Sequence, residues 1–337
     1  MKSDVTIKDL ARELNVSPST VSRALKDHYS ISPEMKRSVI ELANRLHYTP
    51  NTIAQSLKQN RTHIIGVIIP EVIHYFFSTV IGGIDDVAYK RGYQVIVTQS
   101  NESYFREVAN VNALVSSRVD GLLVSVSKET KDFGHFKSLQ ERKVPLVFFD
   151  RDCAELTNTS SVLAADYEGA FEAVEHLIQT GCRRIVHYAG PKTLKITSMR
   201  KQGYIDALRK HGLPVDESLI MEADNNEKAY STTKHSLAMG LEFDGLFAVN
   251  DLTAIGAILA LKEAGRRIPQ DVSVIGFGDG PISTFTDPQL TTVLQPGFMM
   301  GQEAAELLID ELEAKDTTPI QSKQIKTRLV LRASSRR

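Results

Sequence analysis

Residues 6–25 read TIKDLARELNVSPSTVSRAL, and two short amphipathic helices around a tight turn account for their apolar positions. Thr6 is suited to cap a helix over Ile7–Leu14. Ile7, Leu10, Ala11 and Leu14 recur at three- and four-residue spacings, which is one stripe on one face. Asn15 ends that helix. Ser17 caps the next, with Pro18 in its first turn, where a missing N–H does no harm. Val21, Ala24 and Leu25 form the inward face, Ala11 sits where the helices approach closely, and Val16 plugs the turn. Pro18, Ser19, Thr20, Ser22 and Arg23 are left on the outside. Short hydroxyl side chains can donate to phosphates without holding a helix off a duplex, and arginine can fork onto guanine O6 and N7. The pattern is that of a helix-turn-helix. A plain helical hairpin with a solvated outer face is the alternative reading of the same residues.

Further along, Ser32-Pro33-Glu34 opens a third helix, with Val39, Ile40, Ala43 and Leu46 along one side. Thr49-Pro50 breaks the run. Residues 1–61 hold ten Lys/Arg against six Asp/Glu, an excess of +4 in a chain of 337 residues whose net charge is −1. The remainder is therefore acidic, and the basic excess points to a polyanion partner for the first fifth alone. A solvated surface can carry the same excess. Residues 50–62, short, polar and basic, are the linker candidate.

From His63 the pattern changes. Strand-like apolar stretches recur at Ile64–Ile69, Tyr93–Thr98, Gly121–Val126, Pro145–Phe149, Ser161–Ala164, Arg184–Tyr188, Gly245–Val249 and Val272–Phe277. Amphipathic stretches of helix length separate most of them. β-Branched runs alternating with helices indicate parallel sheets covered on both faces, as one large sheet or two smaller ones. The length suits two or three domains, and 42% hydrophobic residues allow a sizeable core.

Composition and motifs narrow the function classes. Cys153 and Cys182 have no CxxC spacing, which argues against a disulfide framework or a zinc site and for a reducing compartment. The start MKSDVTIKDL has no apolar signal region, and no apolar run approaches the ~20 residues that span a bilayer. The expectation is a cytoplasmic protein without a membrane partner. An enzyme is the competing class for a parallel α/β body. There is no GxxxxGK[ST], no GxSxG, no HExxH and no GxGxxG after a strand, and GFGDG at 276–280 has the wrong spacing for a dinucleotide loop. No catalytic residue, metal site or cofactor is expected. A transport binding protein would fit the body but not the first 50 residues.

The chain resembles the lactose-repressor (LacI/GalR) family of bacterial transcription regulators over essentially its whole length. The resemblance is carried by VTIKDLARELNVSPSTVSRAL at 5–25 and YTPNTIAQSLKQNRTHIIGVIIP at 48–70. It implies an all-α helix-turn-helix headpiece over 1–49 and a hinge over 50–62. An effector-binding and dimerisation domain over 63–337 follows. That domain is expected to be an α/β, periplasmic-binding-protein-like body of two parallel-sheet, Rossmann-like lobes. Lobe one spans about 63–162 and 294–324 and lobe two about 163–293 and 325–337, with crossings near Ala164, Val293 and Ile325. The implied function is a sequence-specific DNA-binding regulator, a repressor, controlled by a sugar or sugar derivative, with a nucleobase or a phosphorylated coregulator as the alternative effector. The implied partner is double-stranded operator DNA, pseudo-palindromic and gripped by a homodimer. No leucine heptads follow Leu331, so a dimer is expected rather than a tetramer.

Residue roles carry over position by position. Pro18 and Ser19 fall where the operator sequence is chosen, Thr20 and Ser22 at backbone contacts, and Arg23 at a base contact. Thr6, Ser17 and Asn51 complete the DNA-binding set. Residues 51–57 form about two helical turns, too short to be stable alone. The resemblance implies that this hinge folds on the operator beside its twin from a second subunit. Ala54 then permits their close approach, and Leu57 wedges between base pairs in the minor groove, a kink offset by added contacts. A small anchor against the body is the other reading for Leu57. Gln55 replaces an arginine often found there, weakening one backbone contact.

Four places match effector positions. Tyr75, Phe76 and Phe77, after the first strand, suit stacking on a sugar face or a base, though adjacent aromatics also build cores. Asp150 stands at a strand's C-terminal end, where open α/β sheets place ligands, and it could equally cap a turn. Arg200, before Gly203-Tyr204, is suited to bidentate polar contacts or to a surface salt bridge. Asn250 offers donor and acceptor to a polyol, with Asp251 the expected cap of the following helix. Asp279 is the acidic residue of Val274–Gly280. The family commonly has its acid at the position of Gly278, and some members have an aromatic ring at that of Gly297. The two glycines are expected to leave the cleft wider on that side.

Overall fold

The computed structural model describes residues 5–48, 61–153, 155–156, 158–314, 316 and 318–336. They fall into two compact units, Met1–Thr62 and His63–Arg337.

The first unit has three helices: α1 (Ile7–Glu13), α2 (Pro18–Leu25) and α3 (Pro33–Arg45). Thr6 caps α1, its backbone N–H and its hydroxyl both donating to Asp9 Oδ2 at 2.9 and 2.7 Å. Asn15 ends α1 in the left-handed region at φ 52°. There its N–H reaches the Arg12 carbonyl and that of Val16 the Ala11 carbonyl, so two orphan carbonyls of the last turn are satisfied. Ser17 caps α2 by accepting from Thr20 N–H at 3.1 Å, with Pro18 at the first helical position. Leu10, Ala11, Val21, Ala24, Val39, Leu42 and Ala43 form the core. One expectation fails in α3: Ile40 is 48% exposed and Leu42 is buried instead. At 3.6 residues per turn, positions 39, 42, 43 and 46 share a stripe and position 40 lies to its side.

The second unit contains two six-stranded sheets. Its elements, in chain order, are β1 (Ile64–Ile69), α4 (Tyr75–Lys90), β2 (Gln94–Gln99), α5 (Tyr104–Ser116), β3 (Gly121–Val124), α6 (Gly134–Glu141), β4 (Leu146–Phe149) and β5 (Ser160–Ala164). Then follow α7 (Asp166–Gln179), β6 (Ile185–Ala189), α8 (Lys195–Lys210), β7 (Ile220–Glu222), α9 (Asn226–Ala238), β8 (Gly245–Ala248), α10 (Asp251–Glu263) and β9 (Ser273–Gly278). The last are α11 (Ile282–Phe285), β10 (Thr291–Leu294), α12 (Gly297–Glu313), β11 (Ser322–Ile325) and β12 (Arg328–Val330).

The first sheet runs β11-β5-β4-β3-β1-β2, all parallel. The second runs β12-β10-β9-β8-β6-β7, parallel except for β12. Each sheet is buried on both faces. Phe77, Val80 and Ile84 of α4 join Met300, Ala304 and Leu308 of α12 on one face of the first. Val111 and Leu114 of α5 and Phe136 and Leu139 of α6 cover the other. On the second sheet α7 and α8 face α9 and α10 in the same manner. The chain changes sheet after Ala164, after Leu294 and after Ile325.

The eight apolar stretches read from the sequence are the eight strands β1 to β6, β8 and β9. The four strands without a sequence signal are short. β7, β11 and β12 are sheet edges with few buried residues, and β10 reads Thr-Thr-Val-Leu. Edge strands face solvent on one side and need no apolar run. Among the described residues no helix is long and apolar enough to cross a membrane.

Candidate functional site

The exposed side of α2 carries an ordered set of hydroxyls. Ser17 Oγ lies 2.7 Å from Ser19 Oγ and 2.9 Å from Thr20 Oγ1. Pro18, Ser19 and Arg23 are exposed, and Thr20 and Ser22 are half-buried, while Val21 and Ala24 pin the helix from beneath. Several basic side chains of this unit are spent internally: Arg12 on Asp9, Lys36 on Asp27 and Arg45 on Glu13. Lys8, Arg23, Lys26 and Arg37 make no ion pair among the described residues and remain for a polyanion. Thr6 is exposed at the start of α1. Asn51, Ala54, Gln55 and Leu57 lie outside the described residues.

In the second unit a cleft of about 450 Å³ opens at the C-terminal ends of strands from both sheets. Tyr75, Phe76, Phe77, Asp150, Arg200 and Asn250 all line it, so residues up to 175 positions apart in sequence meet in one place. Asp279 does not line it. Its carboxylate accepts from Arg332 Nη2 at 2.6 Å and from Ser283 Oγ at 3.2 Å, away from the opening. The aromatic run divides: Tyr75 is 52% exposed, Phe76 is half-buried, and Phe77 belongs to the core of the first sheet. An amphipathic helix can show only part of three consecutive positions to one side.

Asp150 holds a left-handed backbone at φ 61° just after β4. It caps no turn. Its carboxylate is buried without a hydrogen bond among the described residues, and Arg151 Nε lies 3.7 Å away. Burial pushes its pKa up to about 6, against the pull of Arg151 and Arg200 and with the push of Asp166 and Glu102. Arg151 is committed to Glu102 through Nη1 at 2.9 and 3.0 Å.

Arg200 is buried rather than at the surface. Its Nε donates to Asp166 Oδ1 at 2.7 Å, its Nη2 lies 2.6 Å from the same oxygen, and its Nη1 donates to the Val249 carbonyl. The guanidinium lies 3.7 Å over the Phe277 ring, a cation–π contact. Burial raises the pKa of Asp166, and Arg200 opposes the rise.

Asn250 and Asp251 exchange the parts expected of them. Asn250, extended at φ −152°, caps α10 by accepting from Thr253 N–H at 2.8 Å and donates to the Asp224 carbonyl at 2.9 Å. Asp251, already inside the helix, accepts from the Thr292 hydroxyl at 2.5 Å and from Gly280 N–H at 3.1 Å. Only a residue with extended backbone can turn its side chain back on the first helical N–H groups.

The two glycines do not widen the cleft. A Cβ on Gly297 would overlap Thr79 Oγ1 and stand 3.0 Å from the Phe76 carbonyl oxygen, so α4 fills that space. A Cβ on Gly278, at φ 139°, would stand 3.3 Å from Asp251 Oδ2, and that carboxylate occupies the acidic place on this side.

Several lining residues had no sequence signal. Glu102, Lys128, Asp224 and Gln295 are isolated polar residues after strands or at crossings. Lys128 Nζ reaches Asp224 Oδ2 across the cleft at 3.2 Å, and the Thr193 hydroxyl donates to the Lys128 carbonyl at 2.9 Å. Lys195 to Asp152, at 2.7 Å, is a second ion pair joining the lobes. Thr197 Oγ1, Gln295 Nε2 and Arg151 Nε are buried in the lining without a hydrogen-bond partner among the described residues, polar capacity that a bound molecule could use. Among the described residues no cluster of His, Cys, Asp and Glu could hold a metal ion.

Residues 6–51 match the model of bacterial regulatory proteins of the lacI family, and residues 174–335 match that of a periplasmic binding protein-like domain. Catabolite control protein A of Priestia megaterium is 33% identical over 99% of this chain and 100% of that protein. The lac repressor dimer, bound to operator and the anti-inducer ONPF, superposes with a TM-score of 0.87 at 26% identity, covering 99% of each chain. A LacI-family regulator from Enterococcus faecium with bound ribose superposes with a TM-score of 0.71 at 27% identity, covering 81% of this chain and 98% of that one.

Proposed function

The chain belongs to the LacI family of bacterial regulatory proteins, and on that premise we propose how its residues divide the work of a DNA-binding transcription regulator that is not an enzyme. Residues 1–49 read DNA, residues 50–62 serve as hinge, and residues 63–337 bind the effector and a second subunit. Pro18, Ser19 and Arg23 read bases, while Thr6, Ser17, Thr20 and Ser22 hold the backbone. Asn51, Ala54, Gln55 and Leu57 act in the hinge in the roles that the family resemblance implies. The carrying observation is α2 itself: Val21 and Ala24 fix it from below, and the Ser17–Ser19–Thr20 hydroxyls and Arg23 face outward. The protein works in the cytoplasm as a repressing homodimer on a pseudo-palindromic operator, one recognition helix in each major-groove half-site.

The effector sits in the cleft between the two sheets, against Tyr75, Phe76, Asp150, Arg200 and Asn250. A sugar or sugar derivative suits this lining of aromatic edges and hydrogen-bonding groups, and the ribose-bound neighbour supports that class. Its binding changes how the lobes sit and so, by linkage, the affinity for DNA.

Selection of genomic fragments by the whole chain at low salt tests the reading. Enrichment of one pseudo-palindromic sequence, lost on Arg23→Ala, is the expected result. Failure to retain any fragment, with and without candidate sugars, overturns it.

A further inference from the structure

We infer that the cleft takes an uncharged ligand that donates hydroxyls and turns away the phosphorylated or carboxylated forms of the same molecule. The inference rests on the reading of the cleft as the effector site and concerns the charge of what enters it.

Among the described residues three arginine and lysine side chains line the cleft, each already engaged by one of the protein's own carboxylates, while five carboxylates, Glu71, Glu102, Asp150, Asp224 and Asp251, share the lining. Arg200 is spent on Asp166 and the Val249 carbonyl, with a ring face against Phe277. Arg151 holds Glu102 through one terminal nitrogen, and its Nε, without a hydrogen bond among the described residues, has the Asp150 carboxylate 3.7 Å away, so an anion that sought this donor would meet Asp150 first. Lys128 holds Asp224 Oδ2 at 3.2 Å, and Lys228, outside the lining, holds the other oxygen of the same carboxylate at 2.6 Å. An incoming phosphate or carboxylate would have to break one of these pairs and leave a carboxylate behind in a partly buried site. The balance of the remaining charge points the same way. Asp150 has no hydrogen bond among the described residues. Asp251 receives only neutral donors, from Thr292 and Gly280. Both carboxylates repel an anion at close range, in a site where screening by solvent is weak.

The same two groups favour a hydroxylated neutral molecule. A buried carboxylate without a hydrogen bond gains most from ligand O–H groups, since hydrogen bonds to an ionised acceptor are the strong ones. Thr197 Oγ1 and Gln295 Nε2 supply unused polar capacity beside it. The hydroxyls can come from a free sugar or from the ribose of a nucleoside.

The test uses matched pairs on the whole chain by thermal shift and calorimetry: ribose and ribose 5-phosphate, glucose and glucose 6-phosphate, galactose and galacturonate, uridine and uridine 5′-monophosphate. At least one neutral member is expected to stabilise the protein, with its anionic counterpart bound at least tenfold more weakly. Sugars and uridine separate the two sources of hydroxyls. Asp150→Asn is expected to weaken the neutral ligand and shrink the gap to its anion. An anion that binds as tightly as its neutral counterpart, or more tightly, overturns the inference while leaving the effector site in place. Silence from every pair overturns the carbohydrate reading of the cleft itself.

Discussion

Arg200 Nε donates to Asp166 Oδ1 at 2.7 Å in a pair that is almost wholly removed from solvent. The pair ties the start of α7 to α8, and the bond from Arg200 to the Val249 carbonyl ties both to the end of β8, next to Asn250. Arg200 therefore shapes the second lobe's wall of the cleft. Removing one member of a buried pair strands the other charge, at a cost of about 3–5 kcal/mol. Arg200→Ala is expected to lose about 3 kcal/mol of body stability and the effector response, with operator affinity retained. Asp166→Asn with Arg200→Met should recover much of the lost stability. Urea unfolding of the single and double variants checks the coupling, and simple additivity would refute it. An unchanged effector dose-response would remove Arg200 from the site.

Asp150 is destabilised by its own burial. Its folded pKa of about 6 stands above the ordinary value of 3.8, so the fold favours the protonated form. That contribution is complete below the unfolded pKa and is lost as pH rises through about 6. Asp150→Asn is therefore expected to stabilise the protein at pH 7.5 by about 1–3 kcal/mol, with the advantage fading toward pH ~4. Melting temperatures of both proteins across that range are the check. A variant less stable than the parent at neutral pH contradicts the assignment.

Lys128–Asp224 and Lys195–Asp152 are ion pairs between the lobes, and both lysines are partly exposed. Each is worth about 0–1 kcal/mol. Lys128→Ala with Lys195→Ala should shift the body toward an open cleft. Small-angle scattering should report a larger radius of gyration, and effector affinity should fall by up to about tenfold. Identical scattering curves would mean that the pairs do not hold the lobes together.

Arg23 and Arg37 separate reading from attraction. Arg23→Ala is expected to cost about 1–3 kcal/mol on the cognate site and little elsewhere. Arg37→Ala should weaken all DNA alike and lower the salt slope by about one. Titrations on specific and random duplexes at several salt concentrations distinguish them, and equal behaviour would make Arg23 a phosphate contact.

Leu57, outside the described residues, is expected to matter for specific sites. Leu57→Ala should lower specific affinity more than non-specific affinity, because only a site worth kinking rewards a wedge. Equal losses on both would leave Leu57 a merely structural part.

What could be read in the chain was local. Thr6, Asn15, Ser17 and the stripe of Leu10, Ala11, Val21 and Ala24 specify the headpiece within 20 residues. The caps act within one turn, and helix periodicity needs no distant partner. β-Branched runs such as Ile64–Ile69 announced strands buried on both faces. Edge strands such as β7 did not, since half their surroundings are solvent. At the cleft, Asp150, Arg200 and Asn250 stood out through the family resemblance, which matches them to effector positions.

What surrounds them did not stand out. Nothing near Arg200 in sequence indicates that Asp166 will neutralise it, or that Lys128 will meet Asp224 from 96 positions away. The pairing of Asp279 with Arg332, and the filling of the space at Gly297 by α4, are equally remote effects. The sequence by itself determined the headpiece helices, eight of the strands, the helix-turn-helix and the α/β class, because capping, periodicity and β-branching act between neighbours. The tertiary structure decided which charges are spent and which carboxylate is left without a hydrogen bond, because burial and pairing depend on atoms that only the folded chain brings within a few ångströms.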